Sequence, residues 1–177
     1  MRWYSGTDDG LDDDSLLFAL ELMRHDRRER IVFFDRAEPF EPAEWLAWCK
    51  GENKIFTMVF RNDGTPVAAV WFTDGTRTGR QVFSHFCGFG TAGFAELVRA
   101  GKSLLGKIAE NTSIRQFIGV TPACYRHALK LAYSLGYERL VCLRGAVQVH
   151  GKERDAILTV CGPEEQREPD LRKNQLG

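Results

Sequence analysis

The feature that most limits how this chain can fold is a strand-like run that ends in three glycines and passes directly into a helix: Ser84-His85-Phe86-Cys87-Gly88-Phe89-Gly90-Thr91-Ala92-Gly93-Phe94. Amide groups at a helix start lack intrahelical partners, and the helix dipole there favours an anion. Glycines let a ligand approach the main chain. The pattern therefore suits either a phosphate-holding loop or a tight turn with no ligand. It is not a P-loop, because no Gly-Lys-Ser/Thr follows at the required distance. It is a poor dinucleotide fingerprint, because the strands before it look antiparallel.

Upstream lie two helical patterns and a meander. Asp8, Asp9, Asp12, Asp13 and Asp14 precede Ser15 to His25, where Leu16, Leu17, Leu20 and Met23 recur at helical spacing. Asp13 or Asp14 is expected to cap this helix. A solvated helix start is preferred to a metal site for these acids. Ile31 to Phe34 reads as a short strand. Glu41-Pro42-Ala43-Glu44 opens a second helix, with proline in its first turn. Ile55 to Phe60, Val67 to Phe72 and Gln81 to Phe89 read as three antiparallel strands, joined at Asn62-Asp63-Gly64 and at 74–79.

Downstream, Gly93 to Glu110 is helical, with Gly101 and Gly106 as weak points. Arg115 to Val120 is a strand, Ala123 to Leu135 a helix after Pro122, and Gly136 its left-handed cap. Glu138 to His150 and Glu153 to Cys161 form a hairpin at Gly151-Lys152. The fold class is thus α+β, with helices on both faces of a mixed, mostly antiparallel sheet. Residues 1–162 form a single domain; residues 163–177 are a polar tail, expected to be disordered.

Bulk properties narrow the function. The 177 residues carry 24 Lys plus Arg against 24 Asp plus Glu, without the basic excess of a nucleic-acid binder. No apolar run approaches a membrane span and no signal-peptide pattern begins the chain, so a cytoplasmic location is expected. Cys49, Cys87, Cys124, Cys142 and Cys161 are scattered and odd in number. Reduced, mostly structural cysteines and no metal site follow.

The element order resembles the GNAT superfamily, the acyl-CoA-dependent N-acyltransferases. So do Phe117-Ile118-Gly119-Val120-Thr121-Pro122, the helix closing at Leu135-Gly136-Tyr137, and the hairpin at His150-Gly151-Lys152-Glu153-Arg154-Asp155. The resemblance spans roughly residues 40 to 162, and the whole is also similar to acetyltransferase-like proteins of phages and prophages. It implies acetyl-CoA or another acyl-CoA as co-substrate. The pyrophosphate would rest on the loop of Cys87, Gly88, Phe89, Gly90, Thr91, Ala92 and Gly93. The pantetheine arm would lie where the strand at His85–Phe89 splays from that at Gln116–Val120. The acceptor would be a primary amine of unknown identity, and a homodimer through the last strands is compatible with the fold.

Two positions depart from the family pattern. His85 stands where glutamine or arginine is usual in the loop motif. Ala132 stands where many members carry the tyrosine that protonates the leaving thiolate, and Tyr133 is turned about 100° away. The catalytic candidates are therefore His85, as base directly or through water, and Tyr125, as acid from the helix start. Against each stands a structural role: a satisfied strand histidine, or a solvated helix end. Trp45, Trp48 and Trp71 read as packing residues, and Cys87 and Cys124 as structural cysteines. Two further readings stay open: a non-catalytic module that keeps the fold for binding or assembly, and a binder of nucleotide phosphate. Phe89 or Phe94 filling the cleft would favour the module.

Overall fold

The computed structural model describes residues 2–3, 10–52, 54–73 and 80–162. The expectations for Asp8, Asp9, the 74–79 turn and the 163–177 tail fall outside them. The chain order is β1 (Arg2–Trp3), α1 (Asp13–His25), α2 (Glu29–Val32), α3 (Pro42–Cys49), β2 (Ile55–Phe60), β3 (Pro66–Thr73), β4 (Gln81–Gly88), α4 (Phe94–Asn111), β5 (Gln116–Pro122), α5 (Arg126–Ser134), β6 (Glu138–Val149) and β7 (Lys152–Cys161). One seven-stranded sheet runs β1-β2-β3-β4-β5-β7-β6. Every neighbouring pair is antiparallel except β4 with β5.

Both faces of the sheet are covered. The run Val67-Ala68-Ala69-Val70-Trp71-Phe72 is buried throughout, as a strand sandwiched between two helical layers should be. Ala69 and Trp71 face α1 and α3, in a core with Leu16, Leu20, Met23, Phe40, Trp45, Phe56, Cys87 and Phe89. Val70 and Phe72 face the other way, against Leu104, Leu105, Ile108, Phe117, Leu135 and Tyr137. Trp45 and Trp71 are buried, and the Trp45 indole N–H donates to the Leu16 carbonyl at 2.7 Å. The tryptophans thus pack the core as the sequence reading preferred.

Three local expectations are corrected. The cap of α1 is Asp12, whose carboxylate accepts from the Ser15 N–H at 2.8 Å, not Asp13 or Asp14. Residues 31–34 are not a strand: the segment forms the short helix α2 and the turn after it. A four-residue apolar run has no period to tell helix from strand, and side-chain contacts settle it. The buried Glu29 carboxylate takes the Arg24 guanidinium at 3.0 Å and the Phe40 N–H at 2.7 Å. Phe33 stacks on Trp71 at 5.1 Å. Finally, α5 begins at Arg126 rather than Ala123. Strand β7 holds the backbone extended through Pro122, and the Ala123 N–H donates to Asp155 O at 2.8 Å. Helix α4 runs unbroken through Gly101 and Gly106. A Cβ on Gly101 would lie 2.5 Å from a Leu135 methyl, so this glycine allows α5 to approach.

Two helices end in the same turn. After α5, the Tyr137 N–H reaches Ala132 O and the Gly136 N–H reaches Tyr133 O. Gly136 adopts φ 93°, the left-handed cap expected of it. After α1, the Arg28 N–H reaches Met23 O and the Arg27 N–H reaches Arg24 O. Here the left-handed residue is Arg27, at φ 56°. An L-residue in that region costs roughly 1–2 kcal/mol, and glycine recovers this less its own backbone entropy. Arg27→Gly is expected to stabilise the fold by about 0.5–1 kcal/mol, read as a higher urea midpoint at unchanged m-value. A lower midpoint would contradict this account of the turn.

Candidate active site

The parallel ladder between β4 and β5 is short. Gln81, Val82 and Phe83 pair with Gln116, Phe117 and Ile118, and no pairing follows. Ser84, the next residue of β4, spans the widening gap with its side chain instead. Its hydroxyl donates to the Ile118 carbonyl at 3.1 Å and lies 2.6 Å from the Tyr137 hydroxyl. With Ser84 donating to Ile118, the Tyr137 phenol is the donor of the second bond. Tyr137 is 5% exposed; burial raises its pKa and keeps the hydroxyl protonated. Beyond this polar stitch the strands diverge, as the splay requires.

The divergence opens a cavity of about 130 Å³, room for about four waters. Ser84, His85 and Phe86 form one wall and Gly119, Val120 and Thr121 the other. Helix α5 contributes Ala128, Leu131 and Ala132, and Ile31, Val32 and Phe34 close the opposite side. The cavity thus passes between the strands from one helical layer to the other. A Cβ on Gly119 would fall 2.6 Å from Thr159 Oγ1, so a larger residue there would displace the wall.

The register fixes which β4 amides face this space. The Phe89 N–H donates to Val67 O at 3.0 Å, and Cys87 and His85 stand opposite Ala69 and Trp71. In an antiparallel ladder bonded pairs alternate. Cys87 and His85 therefore bond to β3, while the amides of Phe86 and Gly88 point towards the gap. Side chains alternate as well: Cys87 and Phe89 enter the α1–α3 core, whereas Phe86 packs towards α4. Burial pushes the Cys87 thiol up to about 12, which is the state of an inert, structural cysteine.

His85 lines the cavity and stacks on Trp71, with ring centroids 5.4 Å apart. Its Nε2 is 3.2 Å from Thr73 Oγ1. In the tautomer whose Nε2–H donates to Thr73, Nδ1 carries a lone pair with no protein partner among the described residues. Burial lowers the pKa from 6.5 to about 4, opposed by the charge of Asp35. The imidazole is therefore neutral at pH 7.

Tyr125 is the N-cap residue of α5 and lines the same cavity. Its hydroxyl is buried without a hydrogen-bond partner among the described residues, and its ring packs edge-on against Phe34 at 6.3 Å. Burial raises its pKa, with a smaller effect from Cys124. A buried, unpaired hydroxyl is costly, so an atom in the cavity that accepted its hydrogen bond would be favoured. Ala132 also lines the cavity, while Tyr133 is 45% exposed and faces an outer groove with Arg126 and Lys130. No tyrosine therefore enters from α5 itself.

The glycine loop is braced on two sides. The Gly90 N–H donates to Asp26 Oδ2 at 2.6 Å. Arg61 binds both oxygens of Glu96 at 2.7 Å and donates to Thr91 O at 2.7 Å. Thr91 Oγ1 donates to Pro66 O, and the Ala92 N–H to Phe89 O. Gly93 is the N-cap of α4, which leaves the first-turn amides of Phe94, Ala95 and Glu96 without helical partners. Lys130 Nζ lies over the Phe94 ring at 4.9 Å. Neither Phe89 (2% exposed, in the opposite core) nor Phe94 (42% exposed) lines the cavity.

Among the residues proposed from sequence, His85 and Tyr125 share the cavity, and the 88–93 loop lies at the end of the strand that forms its wall. Cys87 does not line the cavity: its backbone bonds to β3 and its thiol lies in the α1–α3 core. Ser84, Tyr137 and Thr159 were not singled out as site residues. From sequence Asp26 reads only as the start of an exposed segment, Asp26 to Arg30, that ends the first helix. It does end α1 but is half-buried against the loop, and an acid at a helix C-terminus opposes the dipole and so signals a partner elsewhere. Among the described residues, no cluster of three His, Cys, Asp or Glu side chains could hold a metal ion, and no helix is long and apolar enough to cross a membrane.

The architecture is shared with solved acetyltransferases. The chain is similar to a ribosomal-protein-S5-alanine acetyltransferase from Vibrio fischeri (12% identity, 89% of this chain and 93% of that one, TM-score 0.71). It is similar also to RimJ of Mycobacterium smegmatis in complex with CoA-disulfide (12%, 89% and 82%, TM-score 0.73). A third is a spermidine N-acetyltransferase from Vibrio cholerae bound to CoA and spermine (14%, 88% and 94%, TM-score 0.68). No protein-family model matches the sequence, and no curated protein does. The chain has the GNAT fold.

His85 makes stability depend on pH. Its folded pKa lies below its unfolded value, so the unfolded chain binds more protons between about pH 4 and 6.5. The contribution is fully present above pH 6.5 and is lost as pH falls towards 4, amounting to about 3 kcal/mol at the lower end. His85→Gln is expected to flatten this part of the stability–pH curve. A wild-type imidazole titrating near 6.5 by NMR would refute the assignment.

Proposed function

We propose that this protein is an N-acyltransferase that moves an acetyl or other acyl group from acyl-CoA to an amine. The observation that carries the proposal is the opening between β4 and β5. It joins the two helical layers, has strand amides along one wall, and holds His85 and a Tyr125 hydroxyl without a partner among the described residues. An amide-rich pantetheine arm pairs with such a strand edge as an added strand would. The solved relatives bound to CoA support this co-substrate.

In this reading the phosphates lie at the start of α4, near the first-turn amides and Lys130. The acceptor enters from the side of Ile31, Val32 and Phe34. Its neutral amine attacks the thioester carbonyl. A C–N bond forms as the C–S bond breaks, and the amides of Phe86 and Gly88 are placed to meet the developing oxyanion. His85, neutral because it is buried, takes the ammonium proton at Nδ1 directly or through water. Tyr125 gives its proton to the departing sulfur and recovers one from solvent. This supplies the acid that Ala132 cannot.

A second reading, a non-catalytic module, has one observation in its favour: the Gly90 amide is already taken by Asp26. Calorimetric titration with acetyl-CoA and CoA separates the two. Micromolar binding, abolished by Ala132→Trp in the cavity wall, is expected; no binding up to millimolar concentration would end the acyltransferase reading. With an acceptor in hand, Tyr125→Phe is expected to lower kcat by about a hundredfold while leaving CoA affinity unchanged. An unchanged kcat would remove Tyr125 from the chemistry.

A further inference from the structure

The Asp26 carboxylate sits where an anionic ligand of the glycine loop would be drawn. Its Oδ2 accepts from the Gly90 N–H at 2.6 Å, and both of its oxygens would lie 3.3 Å from a Cβ on Gly90. Charge-assisted bonds of this length are among the stronger hydrogen bonds in proteins. The carboxylate is brought there at some local cost. Asp26 ends α1, at the negative end of that helix. The chain is turned back immediately after it by Arg27 in the left-handed region. The gain that offsets both is the amide of Gly90, sixty-four residues away.

The charges around Asp26 do not cancel it within the loop. His25 Nδ1 lies 3.1 Å from Oδ1 on a side chain that is 85% exposed, and Arg28 is a neighbouring cation. On the far side of the loop, Arg61 is paired with Glu96 and bonded to Thr91 O. A diphosphate at the first turn of α4 would thus meet one loop amide already occupied, and a carboxylate beside it.

We propose that Asp26 is an affinity-determining residue of the phosphate loop: an internal carboxylate that occupies the Gly90 amide and opposes the diphosphate of the co-substrate. The proposal rests on the acyl-CoA reading above. Asp26 touches neither the thioester nor the acceptor, so it sets how tightly the co-substrate is held and not how fast it reacts. Two consequences distinguish this from a purely structural brace. Removing the charge tightens binding instead of weakening it, and only ligands that carry the diphosphate respond.

The test uses the full chain and compares wild type with Asp26→Asn and Asp26→Ala. Asn removes the charge and keeps an acceptor for Gly90; Ala removes both. CoA and S-acetylpantetheine, which lacks the phosphates, are titrated into each protein, with thermal unfolding as a check on folding. The expected result is CoA binding about five- to tenfold tighter in Asp26→Asn, tighter than wild type in Asp26→Ala as well, and no change for S-acetylpantetheine. Equal or weaker CoA binding by both folded variants overturns the proposal and leaves the acyltransferase reading standing. Equal tightening of both ligands also overturns it, because the effect would then lie in the strand gap. CoA binding by none of the three proteins overturns the proposal and the acyltransferase reading together.

Discussion

The site depends on a parallel ladder that stops after three residue pairs. Had β4 and β5 stayed paired past Phe83 and Ile118, the sheet would have been continuous and there would be no cavity. The ladder ends where side chains take over from the backbone. Ser84 reaches the Ile118 carbonyl, Tyr137 caps Ser84, and Gly119 keeps the opposite wall thin enough for both. The position of Tyr137 in turn follows from the left-handed turn at Gly136. The path from local sequence to site is therefore short: a glycine ends a helix, the next residue is delivered to the apex, and the apex holds the strands apart.

The cavity is mostly apolar with a few placed hydroxyls and one imidazole, the pattern expected of a small-molecule site. Burial acts on these groups in one direction, favouring the neutral form of each. His85 loses its proton and keeps a usable lone pair. Tyr125 and Tyr137 keep theirs. A neutral base and a neutral acid in one pocket suit a reaction that takes a proton from one atom and returns one to another. Formal charge is instead gathered around the loop, where Asp26, Glu96 and Arg61 hold it in shape.

Much of the fold was legible because its signals are local. Asn62-Asp63-Gly64 gave the first hairpin, where Gly64 adopts φ 85° and the Thr65 N–H finds Asp63. Pro42 marked the start of α3, and Gly136 the end of α5. The strand–glycine–helix segment was legible where β4 passes into α4, and His85 and Tyr125 line one cavity. The errors lie where tertiary contacts outweigh pattern. Ile31 to Phe34 looks like a strand, but Glu29 and Phe33 are fixed by partners from α1, α3 and β3. Pro122 looks like a helix start, but β7 holds it in the sheet. The Ser84–Tyr137 and Gly90–Asp26 contacts bridge 53 and 64 residues, and neither leaves a periodic trace. The charge on Asp26, at the wrong end of its helix, was the one hint available.

The early end of the β4–β5 ladder also shapes how the molecule comes apart. The two halves of the sheet, β1 to β4 and β5 to β7, are joined among the described residues by three backbone pairs, the Gln81–Gln116 side-chain bond beside them, the Arg80 carbonyl that accepts from the Arg115 and Gln116 amides, and a hydroxyl stitch. They are otherwise held together by the helices that lie across them. Along β4, protection from solvent exchange should then alternate: the amides of His85 and Cys87 sheltered by β3, those of Phe86 and Gly88 facing the opening. A molecule that lodged in the opening and bonded to those amides would act as an eighth strand. It would join the halves into one cooperative unit, so that occupancy could be followed in the backbone itself, without any product being formed.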